Sequence, residues 1–109
     1  MENFEPSDLM VLLRYVDVNG LSDAEGRELS GVDIDDDGQL EGMMKNWVRP
    51  RYLEWDDQNR AEMRQILEQA GHWDRKKLRA VFDEIQLPSG QRINDVDRFL
   101  KMLRISIVE

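Results

Sequence analysis

Four apolar residues at the spacing i, i+3, i+4, i+7 recur five times along this chain, and no other feature constrains its fold as tightly. The sets are Leu9, Leu12, Leu13 and Val16; Leu40, Met43, Met44 and Trp47; Met63, Ile66, Leu67 and Ala70; Leu78, Val81, Phe82 and Ile85; and Val96, Phe99, Leu100 and Leu103. On an α-helix that spacing gathers all four side chains on one face, whereas the period of two in a strand scatters them over both. The pattern predicts an all-α fold, a compact bundle of about five helices in a single domain over residues 1–109. Its expected core contains Leu12, Leu13, Val16, Leu40, Met44, Trp47, Ile66, Leu67, Val81, Phe82, Ile85, Phe99, Leu100 and Leu103. A chain of 109 residues can bury such a core without disulfides or a metal. With no cysteine present, thiolate zinc sites and cysteine nucleophiles are excluded as well.

Punctuation between the stripes agrees with helices. Ser22 to Glu25, "SDAE", has the spacing of a capping box and predicts a short helix to about Ser30. Asp74 can cap the helix of Leu78 to Ile85, with Trp73 and Leu78 placed as a hydrophobic staple. Gly71 stands where a helix end favours a positive φ. "LPSG", Leu87 to Gly90, breaks the chain, and Asn94 is the expected cap of the last helix. Pro50 in "VRPRY" is expected to end the third helix, because the residue before a proline disfavours helical angles. The β-branched tail Arg104 to Val108 reads as a segment able to leave the helix and pack in extended form.

Charge is divided unevenly. Residues 1–46 hold 12 Asp and Glu against 3 Lys and Arg, while residues 47–109 hold 11 against 12. The acidic excess argues against direct binding of nucleic acid, where affinity rests on Lys and Arg neutralising phosphates. It suits a protein partner with a basic surface or an acidic mimic of nucleic acid, and solubility alone is an equal reading of it. The acidic start "MENFEPSD" has no apolar signal core, and the longest apolar run, Leu9 to Leu13, falls far short of the ~20 residues of a membrane span. A cytoplasmic protein without a membrane partner is the expectation.

The densest acid lies in "GVDIDDDGQLEG", Gly31 to Gly42, where Asp33, Asp35, Asp36, Asp37 and Glu41 fall within nine residues. The stretch resembles the EF-hand loop, D-x-D-x-D-G. The resemblance implies Ca2+ held by Asp33, Asp35 and Asp37 at the first, third and fifth positions, a turn at Gly38 and a packing residue at Leu40. The pattern is incomplete. Met44 occupies the twelfth position, where a bidentate carboxylate belongs, and the stripe from Leu40 is out of phase with an exiting helix. A second loop from Gln86 to Asp97 would have Pro88 and Gly90 in place of ligands. The other reading of the same residues is an Asp-rich turn in which Asp36 or Asp37 caps a helix beginning near Leu40, its charges favoured by the helix dipole.

No other constellation carries chemistry. His72, the single histidine, has no partner at ligand spacing, and there is no nucleophile elbow, zinc-protease motif or phosphate loop. Arg75, Lys76, Lys77 and Arg79 form the one basic cluster, read as a solvated helix face or, alternatively, as a patch for an acidic partner or for self-association with the N-terminal half. Trp47, Tyr52 and Trp55 interleave with Arg49 and Arg51, the residue types that dominate binding hot spots. Trp47 falls on a stripe and is expected buried, leaving Tyr52 and Trp55 as candidate interface anchors. Arginines among aromatics can also stack bases, which the acidic balance opposes.

The expectation is thus a binding protein and not an enzyme, with no cofactor unless the Asp-rich stretch takes Ca2+. Small acidic single-domain proteins of this kind act by occupying a partner's surface, as immunity proteins, antitoxins and inhibitors of nucleic-acid-handling enzymes do, and a basic nucleic-acid-handling protein is one expected partner. The named contacts are Asp33, Asp35, Asp36, Asp37, Glu41, Tyr52 and Trp55, with Asp17, Asp23 and Glu28 beside them.

Overall fold

The five stripes become the inner faces of a layered helical globule. The structure is a computed structural model that describes residues 4–108. A 3-10 turn at Pro6–Leu9 runs into α1 (Met10–Leu13), and a second one covers Val18–Gly20. The helices α2 (Asp23–Leu29) and α3 (Asp37–Met43) follow, then a π-helical segment Met44–Val48 and α4 (Arg49–Leu53). Next come α5 (Asp57–Gln69), a 3-10 turn Ala70–His72, α6 (Arg75–Asp83) and α7 (Val96–Val108). No strand occurs among the described residues. The Cα radius of gyration is 13.2 Å, close to the ~13 Å of a folded chain this long.

Helix α7 is the central element. It packs on α5, α3, α4, the π-helical segment and α6, while α6 and α5 also close over the first helical turns. Phe82 and Phe99 meet edge to face in the middle, centroids 5.6 Å apart. Of the expected core, every residue is buried except Trp47. Trp47 is half-buried; its Nε1–H donates to the Tyr15 carbonyl oxygen at 2.8 Å and the Arg51 guanidinium lies over its ring at 3.7 Å.

The capping expectations at Ser22 and Asp74 hold. Ser22 and Glu25 exchange the two bonds of a capping box, and Asp74 Oδ1 accepts from the Lys76 and Lys77 amides. The last helix is capped by Asp95 and not by Asn94: the Asp95 Oδ1 accepts from Arg98 N at 3.0 Å. Gly71 lies in the 3-10 turn without a positive φ; the positive-φ residue among those described is Gly90, at 81°. There it closes the turn from Leu87, its amide donating to the Leu87 carbonyl. Gly20 is required for a different reason: a Cβ at that position would clash with the Arg14 carbonyl oxygen.

Two segments depart from expectation. Helical structure does not stop before Pro50. Proline lacks an amide, and its ring crowds the carbonyl four residues back. The π-helical turn Met44–Val48 lies just ahead of it, and Pro50 stands in the first turn of α4, where its missing amide costs least. The Arg51 side chain then donates to the Trp47 carbonyl oxygen at 2.8 Å. The tail is not extended either: Arg104 to Val108 stays in α7, burying Ser106 and Ile107. Tertiary packing overrides the β propensity of Ile105 and Ile107, as weak local preferences permit. The Ser106 hydroxyl is buried without a partner among the described residues.

Candidate functional site

The acidic stretch leaves α2 as a short turn and enters α3 at Asp37. Asp36 is the cap: its Oδ1 accepts from the Gln39 amide at 3.1 Å, and its own amide donates to the Asp33 carbonyl at 3.2 Å. Asp33 Oδ1 accepts from the Asp35 amide at 3.0 Å. Between these exposed residues Ile34 turns inward and is buried. Alternation of one apolar side chain among four aspartates therefore pins the turn to the core from below.

The rest of the fixing comes from the C-terminal half. Gln91 bridges the turn with both ends of its amide: Oε1 accepts from Ile34 N at 2.8 Å, and Nε2 donates to Asp33 Oδ1 at 2.7 Å. Arg98, on α7, donates through Nη1 to the Ile34 carbonyl at 2.8 Å and through Nε and Nη2 to Asp37 Oδ1. Glu41 pairs with Lys45 one turn along. Asp33, Asp35 and Asp36 make no ion pair among the described residues; they accept only from neutral donors and stay exposed. The surface thus keeps three uncompensated carboxylates on a backbone held from two sides.

The EF-hand-like pattern takes a helical course from its fifth position onward, because Asp37 and Gly38 belong to α3. Gly38 has no positive φ. Among the described residues no three carboxylate or histidine side chains converge as a group able to hold a metal ion.

The expected aromatic anchors separate. Tyr52 is 3% exposed and cannot contact a partner, which corrects its reading as a surface anchor. Continuation of the helix through Pro50 turns it inward, where its hydroxyl donates to the Arg60 carbonyl at 3.1 Å. Burial pushes its phenol above the ordinary value, with Arg64 and Arg60 pulling the other way. Trp55 is half-buried, its Nε1–H donating to the Tyr15 hydroxyl at 3.0 Å. Its ring tilts against both Tyr52 and Tyr15.

Asp17, expected beside the acidic face, is 6% exposed. Its Oδ1 accepts from the Asn19 and Gln86 amides at 3.1 and 3.3 Å, joining the Val18 turn to the segment after α6. Asp23 and Glu28 are exposed on α2, and His72 is exposed. In the basic cluster of α6, Lys76 and Lys77 form no ion pair among the described residues, Arg75 pairs with Asp97, and Arg79 shares Asp83 with Arg92 of the following segment. These two arginines hold the Asp83 carboxyl below its ordinary range, Arg92 being the larger influence. Glu25 is also lowered, first by the Ser22 amide and then by Arg51.

Sequence reasoning missed Gln91 and Arg98, which organise the turn from 57 and 61 positions away. No local pattern marks a side chain that acts at such a distance. Comparison with family models, curated proteins and solved structures gave no match. No described helix is long and apolar enough to cross a membrane.

Proposed function

We propose that this chain is a small protein-binding module that acts by occupying a basic surface on another protein, in the manner of an inhibitor, immunity protein or antitoxin. The observation that supports this most is the held acidic turn. Asp33, Asp35 and Asp36 stay exposed and unpaired by cations while Gln91, Arg98 and the buried Ile34 hold their backbone. Charges already fixed in place lose little freedom on binding, so more of their interaction free energy appears as affinity. Such a face also raises the encounter rate with a basic partner. The chain needs no catalytic group for this role. A Ca2+ reading has the D-x-D-x-D-G pattern as its support and no convergent ligand set to add to it.

The test is affinity capture with the wild-type chain and with the Asp35→Asn, Asp36→Asn variant, each at low and high salt. Asparagine also caps helices well, so the variant changes charge and keeps the turn. Recovery of a basic protein by the wild type, weakened by both the variant and salt, is the expected result. Equal recovery by both chains would remove the acidic turn from the interface.

A further inference from the structure

The first helical turns and α5 leave an apolar groove between them, remote in sequence from the acidic turn. Its walls include Phe4, Val11, Trp55, Met63 and Ile66. Met63 and Ile66 are core residues that reach its floor, while Val11 is 51% exposed, the most exposed large hydrophobic among the described residues. Val11 and the half-buried Trp55 line the same groove, so the apolar surface there is continuous with the core residues beneath it. Trp55 cannot swing away, being bonded to the Tyr15 hydroxyl and flanked by two tyrosine rings.

The charges on the groove identify what fits it. Asp8, Glu62 and Arg14 line it. None of the three forms an ion pair among the described residues, so two acids face one base, and the Glu5 amide donates to Asp8 Oδ2 at 2.7 Å. Arg14 lies by the Tyr15 ring, 5.4 Å from its centroid. The geometry points to a docking groove for an amphipathic helical segment of a partner, one that inserts a bulky apolar side chain against Trp55 and Val11 and places Lys or Arg beside Asp8 and Glu62. This rests on the reading of the chain as a binding module and names a second surface for that role, with its own ligand chemistry.

The test uses a synthetic amphipathic Leu/Lys helix of about 14 residues, roughly four turns, and its Leu/Glu counterpart. Binding is read by amide chemical-shift mapping and by fluorescence anisotropy. The Leu/Lys peptide is expected to bind about tenfold more tightly than the Leu/Glu peptide, the size of two exposed charge pairs. Its shifts should centre on Val11, Trp55 and Glu62. Val11→Asp should weaken it by about tenfold or more with circular dichroism unchanged, since loss of an anchor residue acts on binding and an exposed side chain holds no core. Glu62→Lys should narrow the preference between the two peptides. The Asp35→Asn, Asp36→Asn variant should bind the peptide as the wild type does. Equal binding of both peptides, or none, overturns the inference. So does concentration-dependent dimerisation abolished by Val11→Asp, which would give the groove to a second copy. Loss of the peptide in the Asp35, Asp36 variant but not in Val11→Asp would also overturn it while leaving the proposed function standing.

Discussion

Arg98 holds Asp37 with two donors on one oxygen: Nε and Nη2 approach Oδ1 at 2.9 and 2.6 Å, while Nη1 donates to the neighbouring Ile34 carbonyl. Asp37 is largely in water, with 80% of its side chain exposed, so the ion pair itself contributes little, about 0.2–1 kcal/mol. The bond to the partly buried carbonyl adds about 1 kcal/mol. Arg98→Ala should therefore destabilise by about 1–2 kcal/mol in urea unfolding, and Asp37→Asn by less than about 1 kcal/mol. Equal losses in the two variants would mean that the ion pair, and not the carbonyl bond, fixes the turn.

Asp17 provides a stronger case, because its carboxylate is buried. Asp17→Ala leaves the Asn19 and Gln86 amides without their acceptor, and a hydrogen bond to a charged group contributes about 1.5–3 kcal/mol. A loss of about 2 kcal/mol or more is expected, with Asp17→Asn milder since one oxygen acceptor remains. A change below about 0.5 kcal/mol, the size of an ordinary surface substitution, would show that water replaces the carboxylate.

Much of the core is legible in the sequence because helical period and burial are the same physical fact. Leu12, Val16, Leu40, Phe82 and Phe99 fall on stripes and are buried. Ile34, Leu87 and Ile93 are equally buried but lie in irregular segments, where apolar residues follow no period. Tyr52 was misplaced because helical structure continues past Pro50, and no residue pattern announces that continuation. The C-terminal tail was misplaced because its β-branched residues have a local preference weaker than their packing on the helices around α7. At the acidic turn residue type alone leaves the cap at Asp36 or Asp37, and the structure places it at Asp36. The clips from Gln91 and Arg98 depend on tertiary approach and had no sequence signal.

The glycines separate the two kinds of position. Gly90 sits at φ 81°, whereas Gly71 has an ordinary φ with open space around the site of a Cβ. Gly90→Ala should cost about 1–2 kcal/mol, the strain of a side chain in left-handed backbone. Gly71→Ala should be neutral or stabilise by up to about 1 kcal/mol, since it reduces the freedom of the unfolded chain. Thermal melts of the two variants should move in opposite directions or by clearly unequal amounts.

Stability should fall in acid through identifiable carboxylates. Asp83 and Glu25 are lowered in the fold from ordinary values of 3.8 and 4.5. A depressed folded value means that their contribution is present above those ordinary values and is lost as the pH drops through the depressed ones. Asp83→Asn should flatten the acid limb of the stability profile, with Arg92→Ala flattening it in part. An unchanged limb in Asp83→Asn would assign the acid sensitivity to other carboxylates.

The most direct measurement is the association rate of the chain with its captured partner as a function of ionic strength. Exposed charges act over about 8 Å at physiological salt and farther when salt is low. For the wild-type chain the rate should fall steeply as salt rises, while dissociation changes little. For the Asp35→Asn, Asp36→Asn variant, with its fold verified by circular dichroism, the rate should be lower at low salt and its salt dependence flatter. Wild-type and variant rates that coincide at every ionic strength would contradict a role for the acidic turn in binding and leave its carboxylates a purely structural task.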